Sequence, residues 1–162
     1  MINSHNTKIR KENQASDNPS CNCKGGPTKC PLNGACQTKC LVYGAKVTNT
    51  RTQTSEFYTG VTARRFKDRL YEHQTSFNKR NNKKPTTLSD HIWKLKDQNE
   101  PYSVSWWIKD RGRVFNPTTK SCDICDREKF HIMFHPETAT LNSRSEIYAT
   151  CMHRRQQLLS YY

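Results

Sequence analysis

Three stretches of the chain carry the hydrophobic patterns of β-strands. Residues 41–47 and 56–60 are short apolar runs, and the polar, threonine-rich piece between them predicts a long hairpin loop. Between residues 102 and 109, apolar side chains occupy every second position, which is typical of a strand that buries one face. The chain is therefore expected to form a small antiparallel sheet of three strands.

Four other stretches carry helical patterns. Residues 63–78 predict a helix, and a capping box of Thr87 and Asp90 predicts that a second helix begins there and ends near residue 99. Residues 121–135 and 143–159 predict two more helices. The apolar stripes of the first two helices are Phe66, Leu70 and Phe77, and Leu88, Ile92 and Leu95. The order ββααβαα indicates an α+β fold in which helices flank a small three-stranded sheet.

Composition divides the chain into three parts. Residues 1–20 are polar and aperiodic and are expected to be a disordered tail. Residues 21–40 hold five cysteines and predict a metal-organised, zinc-binding N-terminal extension, and residues 41–162 are expected to form the folded domain. Only 33% of the residues are hydrophobic, so the eight cysteines are expected to reinforce a small core.

The cysteines are expected to bind metal rather than to form disulfides. No apolar run approaches the length of a membrane span, and polar residues follow Met1 where a secretory signal would place its apolar region. A cytosolic or nuclear location follows, and disulfides are disfavoured in those compartments.

Two cysteine groups have the composition of structural zinc sites, which take four sulfur or nitrogen ligands. Neither spacing is that of a standard zinc finger, so partly paired or unligated cysteines remain alternatives. His131 and His135, four residues apart, form a competing ligand pair. The first group is Cys21, Cys23, Cys30 and Cys36, with Cys40 left over, and the second is Cys122, Cys125, Cys151 and His153.

The positive charge is concentrated in one short stretch. The chain has 27 Lys and Arg against 14 Asp and Glu, a formal net charge of +13. Residues 61–84 contain eight of the basic residues and two of the acidic ones. A local basic patch favours a polyanion partner, most simply nucleic acid, over a merely solvated face. The predicted DNA contacts are Arg64, Arg65, Lys67, Lys79, Arg80, Lys83 and Lys84.

Six polar residues of types that are common in catalytic sites are spread over the predicted strands and helices. The first two lie in predicted strands, the next two lie one turn apart on the first helix, and a carboxylate and an amide follow the third strand. Taken singly, each has an ordinary explanation as a core aromatic, a core histidine, a solvated charge or a turn residue. The six are Tyr43, Tyr58, Arg69, His73, Glu128 and Asn142.

In this set and order the chain resembles the GIY-YIG endonuclease domain, with VYG at 42–44 and YTG at 58–60 as its two motifs. It is most similar to the endonuclease domain of Penelope-like retroelements, over roughly residues 20–160. The first motif lacks its usual Gly-Ile, Thr59 replaces an isoleucine, and Met152 replaces an arginine. The similar segments are CNCKGGPTKCPLNGAC, LVYGAKV, YTGVTARRFKDRLYEH, TSFN, TTLSDHIWKLK, NPTTKSCDICDREKFHI, ATLNSRSE and CMH.

The resemblance implies a metal-dependent endonuclease that nicks DNA to prime reverse transcription, with a reverse transcriptase of the same element as a possible partner. Glu128 would bind one Mg²⁺ or Mn²⁺, and Arg69 would stabilise the charge that develops on the phosphate. Tyr43 or His73 would accept the proton of the attacking water. A nuclear location follows from the same resemblance.

The remaining members of the set have supporting roles. Tyr58 would hold the water or the phosphate, and Asn142 would orient the metal site or the DNA. Glu146 is a rival carboxylate, but the position of Glu128 between the third strand and Asn142 matches the family better. Glu146 is therefore expected to support the structure.

Two other functions are compatible with parts of the sequence. A zinc-organised nucleic-acid-binding module without catalysis would explain the charge and the cysteines equally well. A decayed retroelement remnant would fold without any activity. Neither requires the six polar residues, so an endonuclease is the preferred interpretation.

Overall fold

The computed structural model describes residues 20–80, 85–113 and 115–153. The predicted α+β fold with a three-stranded antiparallel sheet is confirmed, with β1 between its two neighbours in the order β2-β1-β3. The strands are β1 (Leu41–Asn49), β2 (Ser55–Thr62), β3 (Tyr102–Arg111), β4 (Phe115–Asn116) and β5 (Ser121–Cys122). The helices are α1 (Phe66–Asn78), α2 (Thr87–Asp97), α3 (Asp123–Phe134) and α4 (Ser145–Tyr148), with 3₁₀ turns at Pro27–Lys29 and Pro136–Thr138.

The hairpin between β1 and β2 is tighter than the long loop that the sequence predicts. The hydroxyls of Thr48 and Ser55 lie 3.1 Å apart across the two strands. The Asn49 side-chain oxygen accepts hydrogen bonds from the amides of Arg51 and Thr52, at 2.9 and 3.2 Å. These contacts draw the polar residues into the strands and leave only residues 50–54 as the connection.

One face of the sheet and the two central helices form the main core. Side chains alternate along a strand, so Tyr43, Ala45 and Val47 of β1 point to the same side. They are buried there together with both predicted helical stripes, which are confirmed. Full burial of each large apolar side chain contributes about 1.5–3 kcal/mol. The stripe residues are Phe66, Leu70, Phe77, Leu88, Ile92 and Leu95.

The opposite face of the sheet receives the segment that follows α3. A Cβ on Gly44 would lie 2.3 Å from the Trp107 ring, so this position must be glycine for the indole to cross the strand. Lys109 donates from Nζ to the hydroxyls of Thr59 at 2.6 Å and Thr138 at 2.7 Å. These contacts fasten the 3₁₀ turn after α3 onto the sheet.

Two helix starts differ from the sequence prediction. The capping box of α2 is formed by Thr86 and Ser89, not by Thr87 and Asp90. The Thr86 hydroxyl accepts from the Ser89 amide, and the Ser89 hydroxyl accepts from the Thr86 amide. Helix α1 begins three residues later than predicted, because carbonyls of the cysteine-rich segment cap its first turn at Phe66.

The predicted final helix over residues 143–159 is wrong in its described part. Helix α4 covers four residues only, and the backbone is extended at Ala149. Residues 151 and 153 lie on nearly opposite sides of a regular helix, so they could not both turn toward one ion. The break lets Cys151 and His153 reach the start of α3.

Some predictions concern residues that lie outside the described ranges. These are the tail before Ser20, the basic loop 81–84 with Lys83 and Lys84, and the end of the predicted last helix. In the described ranges, no helix combines the length and the apolarity that crossing a membrane requires.

Candidate functional site

The first cysteine group, Cys21, Cys23, Cys30 and Cys36, could hold a zinc ion. The four sulfurs lie within 4.8 Å of one another. The Cys36 sulfur lies 3.6 Å from that of Cys21 and 3.8 Å from that of Cys23. A disulfide is about 2.05 Å long, whereas a zinc ion with Zn–S bonds of about 2.3 Å holds its sulfurs about 3.8 Å apart.

Backbone groups around this group favour a thiolate and connect it to α1. Burial raises the pKa of Cys30, but the amides of Leu32 and Gly34 donate to its sulfur and lower the pKa to about 7. The carbonyls of Cys36 and Thr38 accept from the amides of Lys67 and Phe66, at 2.8 and 3.0 Å. Because Arg65 makes no side-chain cap, these carbonyls satisfy the first donors of α1.

The second group, Cys122, Cys125, Cys151 and His153, could hold another zinc ion. The Nδ1 atom of His153 lies 3.5 Å from the Cys122 sulfur and 3.2 Å from the Cys125 sulfur. The sulfurs of Cys125 and Cys151 lie 3.4 Å apart. An ion here would join the start of α3 to the segment after α4.

The competing histidine pair has other neighbours. The rings of His131 and His135 lie 5.7 Å apart, centroid to centroid. His131 approaches Asp110 at 3.5 Å, and His135 approaches Glu137 at 3.4 Å. Cys40 belongs to neither group, and its sulfur lies 3.6 Å from the Ala63 carbonyl.

A cavity of about 370 Å³ lies at the end of β2. Arg69 reaches it from α1 and Glu128 from α3, so the fold brings two distant candidate residues to one pocket. Glu128 makes no hydrogen bond or ion pair within the described part of the chain. Desolvation of its carboxyl, followed by the charge of Glu146, raises its pKa to about 7.

The Tyr43 hydroxyl lies behind Arg69 and does not line the cavity. Arg69 donates from Nε to this oxygen at 3.1 Å, and His73 Nε2 lies 2.7 Å from it on the other side. Tyr43 is fully buried, and burial raises its pKa to about 12. Gly60 permits this packing, because a Cβ there would lie 2.5 Å from the Tyr43 hydroxyl.

His73 is a neutral acceptor at this site. Burial, and next the charge of Arg69, lower its pKa to about 3. Arginine can only donate, so the Tyr43 oxygen accepts from Arg69. The hydrogen of Tyr43 is free to point to His73 Nε2 in the tautomer whose ring proton lies on Nδ1.

Tyr58 packs beside this chain of hydrogen bonds. Its ring centroid lies 6.4 Å from that of Tyr43 and 6.1 Å from that of His73. Burial raises the pKa of Tyr58 well above its usual range. Tyr58 therefore contributes to the wall behind the cavity rather than to its lining.

Asn142 binds the edge of the sheet and a carboxylate that also lines the cavity. Its Oδ1 accepts from the Thr59 amide at 2.7 Å, and its Nδ2 donates to the Thr59 carbonyl at 2.8 Å. The same Nδ2 donates to Glu146 Oε2 at 2.6 Å. Sequence reasoning treated Glu146 as structural, and only its spacing of four from Asn142 could have suggested a shared site.

The described basic residues of the predicted DNA surface are dispersed along α1. Arg64 lies on the rim of the cavity and pairs with Glu72. Arg65 pairs with Asp68 at 3.0 Å, and the amine of Lys67 donates to Asn22 Oδ1 at 2.6 Å. Lys79 and Arg80 follow the far end of α1, about 20 Å from its start. Arg80 pairs with Asp97 there.

Comparisons with family models, with curated proteins and with solved structures give no match to this chain. The geometry defines an α+β domain with two groups of residues that could bind zinc. It also contains a carboxylate-lined cavity next to Arg69, and Cys125, Cys151 and His153 of the second group line the same cavity.

Proposed function

We propose that the protein is a metal-dependent DNA endonuclease of the GIY-YIG type that nicks one strand by hydrolysis. The observation that carries the proposal is the shared cavity of Arg69 and Glu128. These residues are 59 positions apart in the sequence and sit on different helices, yet they line one pocket beside the basic start of α1. Binding DNA alone requires neither a desolvated carboxylate nor a recessed arginine.

Glu128 fits the role of a ligand to one Mg²⁺ or Mn²⁺. Hard cations prefer oxygen ligands, and this carboxylate has no other partner in the described structure. The bound cation would polarise the phosphate and lower the pKa of a water molecule. A cation would also relieve the cost of holding this carboxylate away from bulk water.

Arg69 fits the role of a phosphate ligand. Its guanidinium has five N–H donors, of which Nε binds Tyr43 and Nη1 binds Glu72 at 2.8 Å. The remaining donors can bind the oxygens of the scissile phosphate. These two contacts already orient the guanidinium. Little further ordering of the Arg69 side chain is therefore needed when the transition state forms.

Tyr43 and His73 fit the role of orienting Arg69 better than that of taking the proton of the attacking water. Tyr43 does not line the cavity, and burial raises its pKa to about 12. Burial lowers the pKa of His73 to about 3, so its Nε2 accepts a hydrogen bond but is a weak proton acceptor. Tyr58 supports the pair by packing against both rings.

The proposal is tested by plasmid nicking with zinc-loaded protein in Mg²⁺ or Mn²⁺. Glu128→Gln should lower the nicking rate at least 100-fold with unchanged zinc content, because the amide removes the anionic ligand. Asp126→Asn is the matched control, since this exposed carboxylate on the same helix does not line the cavity. Equal nicking by wild type and Glu128→Gln would reject the assigned site.

The alternative, a zinc-organised DNA-binding module without catalysis, gives a different result in the same experiment. It predicts salt-dependent DNA binding without metal-dependent nicking by the wild type. In the retroelement setting that the sequence resembles, the nick would prime a reverse transcriptase, and the protein would act in the nucleus.

A further inference from the structure

A second carboxylate lines the cavity in addition to Glu128. Glu146 belongs to α4, which packs against α3, and it reaches the same cavity. Its charge acts on Glu128, so the two side chains are electrostatically coupled. Arg69 and Lys129 line the same cavity and offset part of the repulsion between the two negative groups, and a cation bound by both carboxylates would offset more of it.

The position of Glu146 is fixed by neighbouring neutral donors. Asn142 Nδ2 donates to Oε2 at 2.6 Å, and the Ser143 amide donates to Oε1 at 3.3 Å. No basic side chain forms an ion pair with Glu146 within the described ranges. No basic side chain therefore competes for the carboxylate, and each oxygen keeps a lone pair for another ligand.

The side-chain amide of Asn142 is held by the sheet edge and by Glu146, and both of its Nδ2 hydrogens are used. Its amide oxygen accepts from the Thr59 amide, and its nitrogen donates to the Thr59 carbonyl and to Glu146. Strand β2 lies at the edge of the sheet, and the Asn142 side chain binds the outward-facing backbone groups of this strand at Thr59. The amide thus connects the sheet to the carboxylate.

The second cysteine group lies next to both carboxylates in the sequence and could stabilise their positions. Its residues Cys122 and Cys125 precede Glu128 by six and three residues, and Cys151 and His153 follow Glu146 by five and seven residues. An ion bound there would hold the helix that carries one carboxylate against the segment that carries the other. The two carboxylates then meet at the cavity without depending on side-chain contacts alone.

We propose that Glu146 is the second carboxylate ligand of the cation bound at Glu128, and that Asn142 is a positioning residue that holds it. This inference rests on the proposed function for the identity of the cation. It assigns Asn142 an indirect role, through Glu146, rather than a contact with metal or DNA.

Manganese binding tests the inference without relying on activity. Full-length protein is first loaded with Zn²⁺, so that the cysteines do not take up Mn²⁺, and is then titrated with Mn²⁺ and followed by electron paramagnetic resonance. Glu146→Gln should weaken Mn²⁺ binding at least tenfold with unchanged zinc content and melting temperature. Glu137→Gln, an exposed acidic residue outside the cavity, should bind Mn²⁺ as the wild type does.

The positioning role is tested by a double-mutant cycle. Asn142→Ala should weaken Mn²⁺ binding, but less than Glu146→Gln does. In a Glu146→Gln background, Asn142→Ala should have no further effect on Mn²⁺ binding, because its action passes through Glu146. Additive losses would assign Asn142 an independent role and overturn this part of the inference.

The outcomes separate the inference from the proposed function. If Glu146→Gln binds Mn²⁺ like the wild type while Glu128→Gln does not, the inference is wrong and the endonuclease proposal stands. If Mn²⁺ binding depends on both carboxylates but the wild type does not nick DNA, the inference stands and the nuclease proposal fails. A wild type that binds no Mn²⁺ overturns the inference.

Discussion

His73 is a buried core residue that also belongs to the hydrogen-bond chain behind the cavity. It continues the apolar stripe of α1, stacks on Phe77 and is almost fully buried, as a core residue would be. Its Nε2 nevertheless lies 2.7 Å from the Tyr43 hydroxyl, which Arg69 also binds. The two descriptions are compatible, because burial keeps the imidazole neutral and a neutral Nε2 can accept a hydrogen bond from the Tyr43 hydroxyl.

Acid should destabilise the protein through His73. Its pKa is about 3 in the folded protein, against about 6.5 in the unfolded chain. Between these values only the unfolded chain binds the proton, so the stabilisation is complete above pH 6.5 and is lost as the pH falls toward 3. One proton contributes a slope of up to about 1.4 kcal/mol per pH unit.

Urea denaturation of zinc-loaded protein between pH 7.5 and 5 measures this slope. His73→Gln should lower the free energy of unfolding at pH 7.5 and flatten its pH dependence by up to that slope. Phe77→Leu disturbs the same ring cluster without removing the titrating group and should keep the wild-type slope. An unchanged slope in His73→Gln would show that other groups cause the acid sensitivity.

At the scale of elements, most of the fold could be predicted from periodicity. The alternation of 102–109 and the stripes of α1 and α2 identified real buried faces, because one local pattern matches one packed surface. The end of the chain could not be predicted in this way. Its residues suit a helix, but a shared site for Cys151 and His153 requires an extended break, which is a tertiary constraint.

The candidate site, like the fold, could be predicted from the sequence only in part. Order along the chain, compared with that of the family it resembles, selected Arg69 and Glu128, and the fold brings both to one cavity. That order was not enough to show that Asn142 binds the Thr59 backbone and Glu146. Those contacts depend on how residues 140–142, which precede α4, lie along the edge of β2, and no local pattern encodes that placement.

The first cysteine group should control the start of α1. Removing its metal by Cys30→Ser should release the carbonyls that cap Phe66 and Lys67, and the cap stabilises the helix by about 1 kcal/mol. Hydrogen exchange at these two amides should accelerate, and nicking should decrease because Arg69 lies one turn away. Zinc content should fall by one ion per chain.

Cys40→Ser is the control for this prediction, since Cys40 belongs to neither group. It should keep the zinc content and the slow exchange of the first turn. If Cys30→Ser loses its zinc while both amides remain protected, the cysteine segment does not act as the cap of α1.

For the whole molecule, the charge of +13 is not spread evenly over the surface. The basic residues at the start of α1 lie between the cavity and the first cysteine group, along the rim of a second groove. Several of them already pair with acids, as Arg64 does with Glu72. A DNA phosphate that binds here has to displace those carboxylates from the arginines. Defined contacts can do this and long-range attraction cannot, so we expect a DNA strand to bind along the rim of the cavity.

Salt dependence of DNA binding distinguishes a defined path from diffuse attraction. Each phosphate contact that is lost should reduce the slope of log K against log salt by about 0.9. Arg64→Gln should show this reduction and weaker binding without divalent metal, because Arg64 lies on the rim of the cavity. Arg51→Gln breaks a comparable ion pair, with Glu100, at the opposite end of the hairpin and should keep the wild-type slope. Equal effects of the two substitutions would mean that net charge alone attracts DNA and that the cavity edge is not its path.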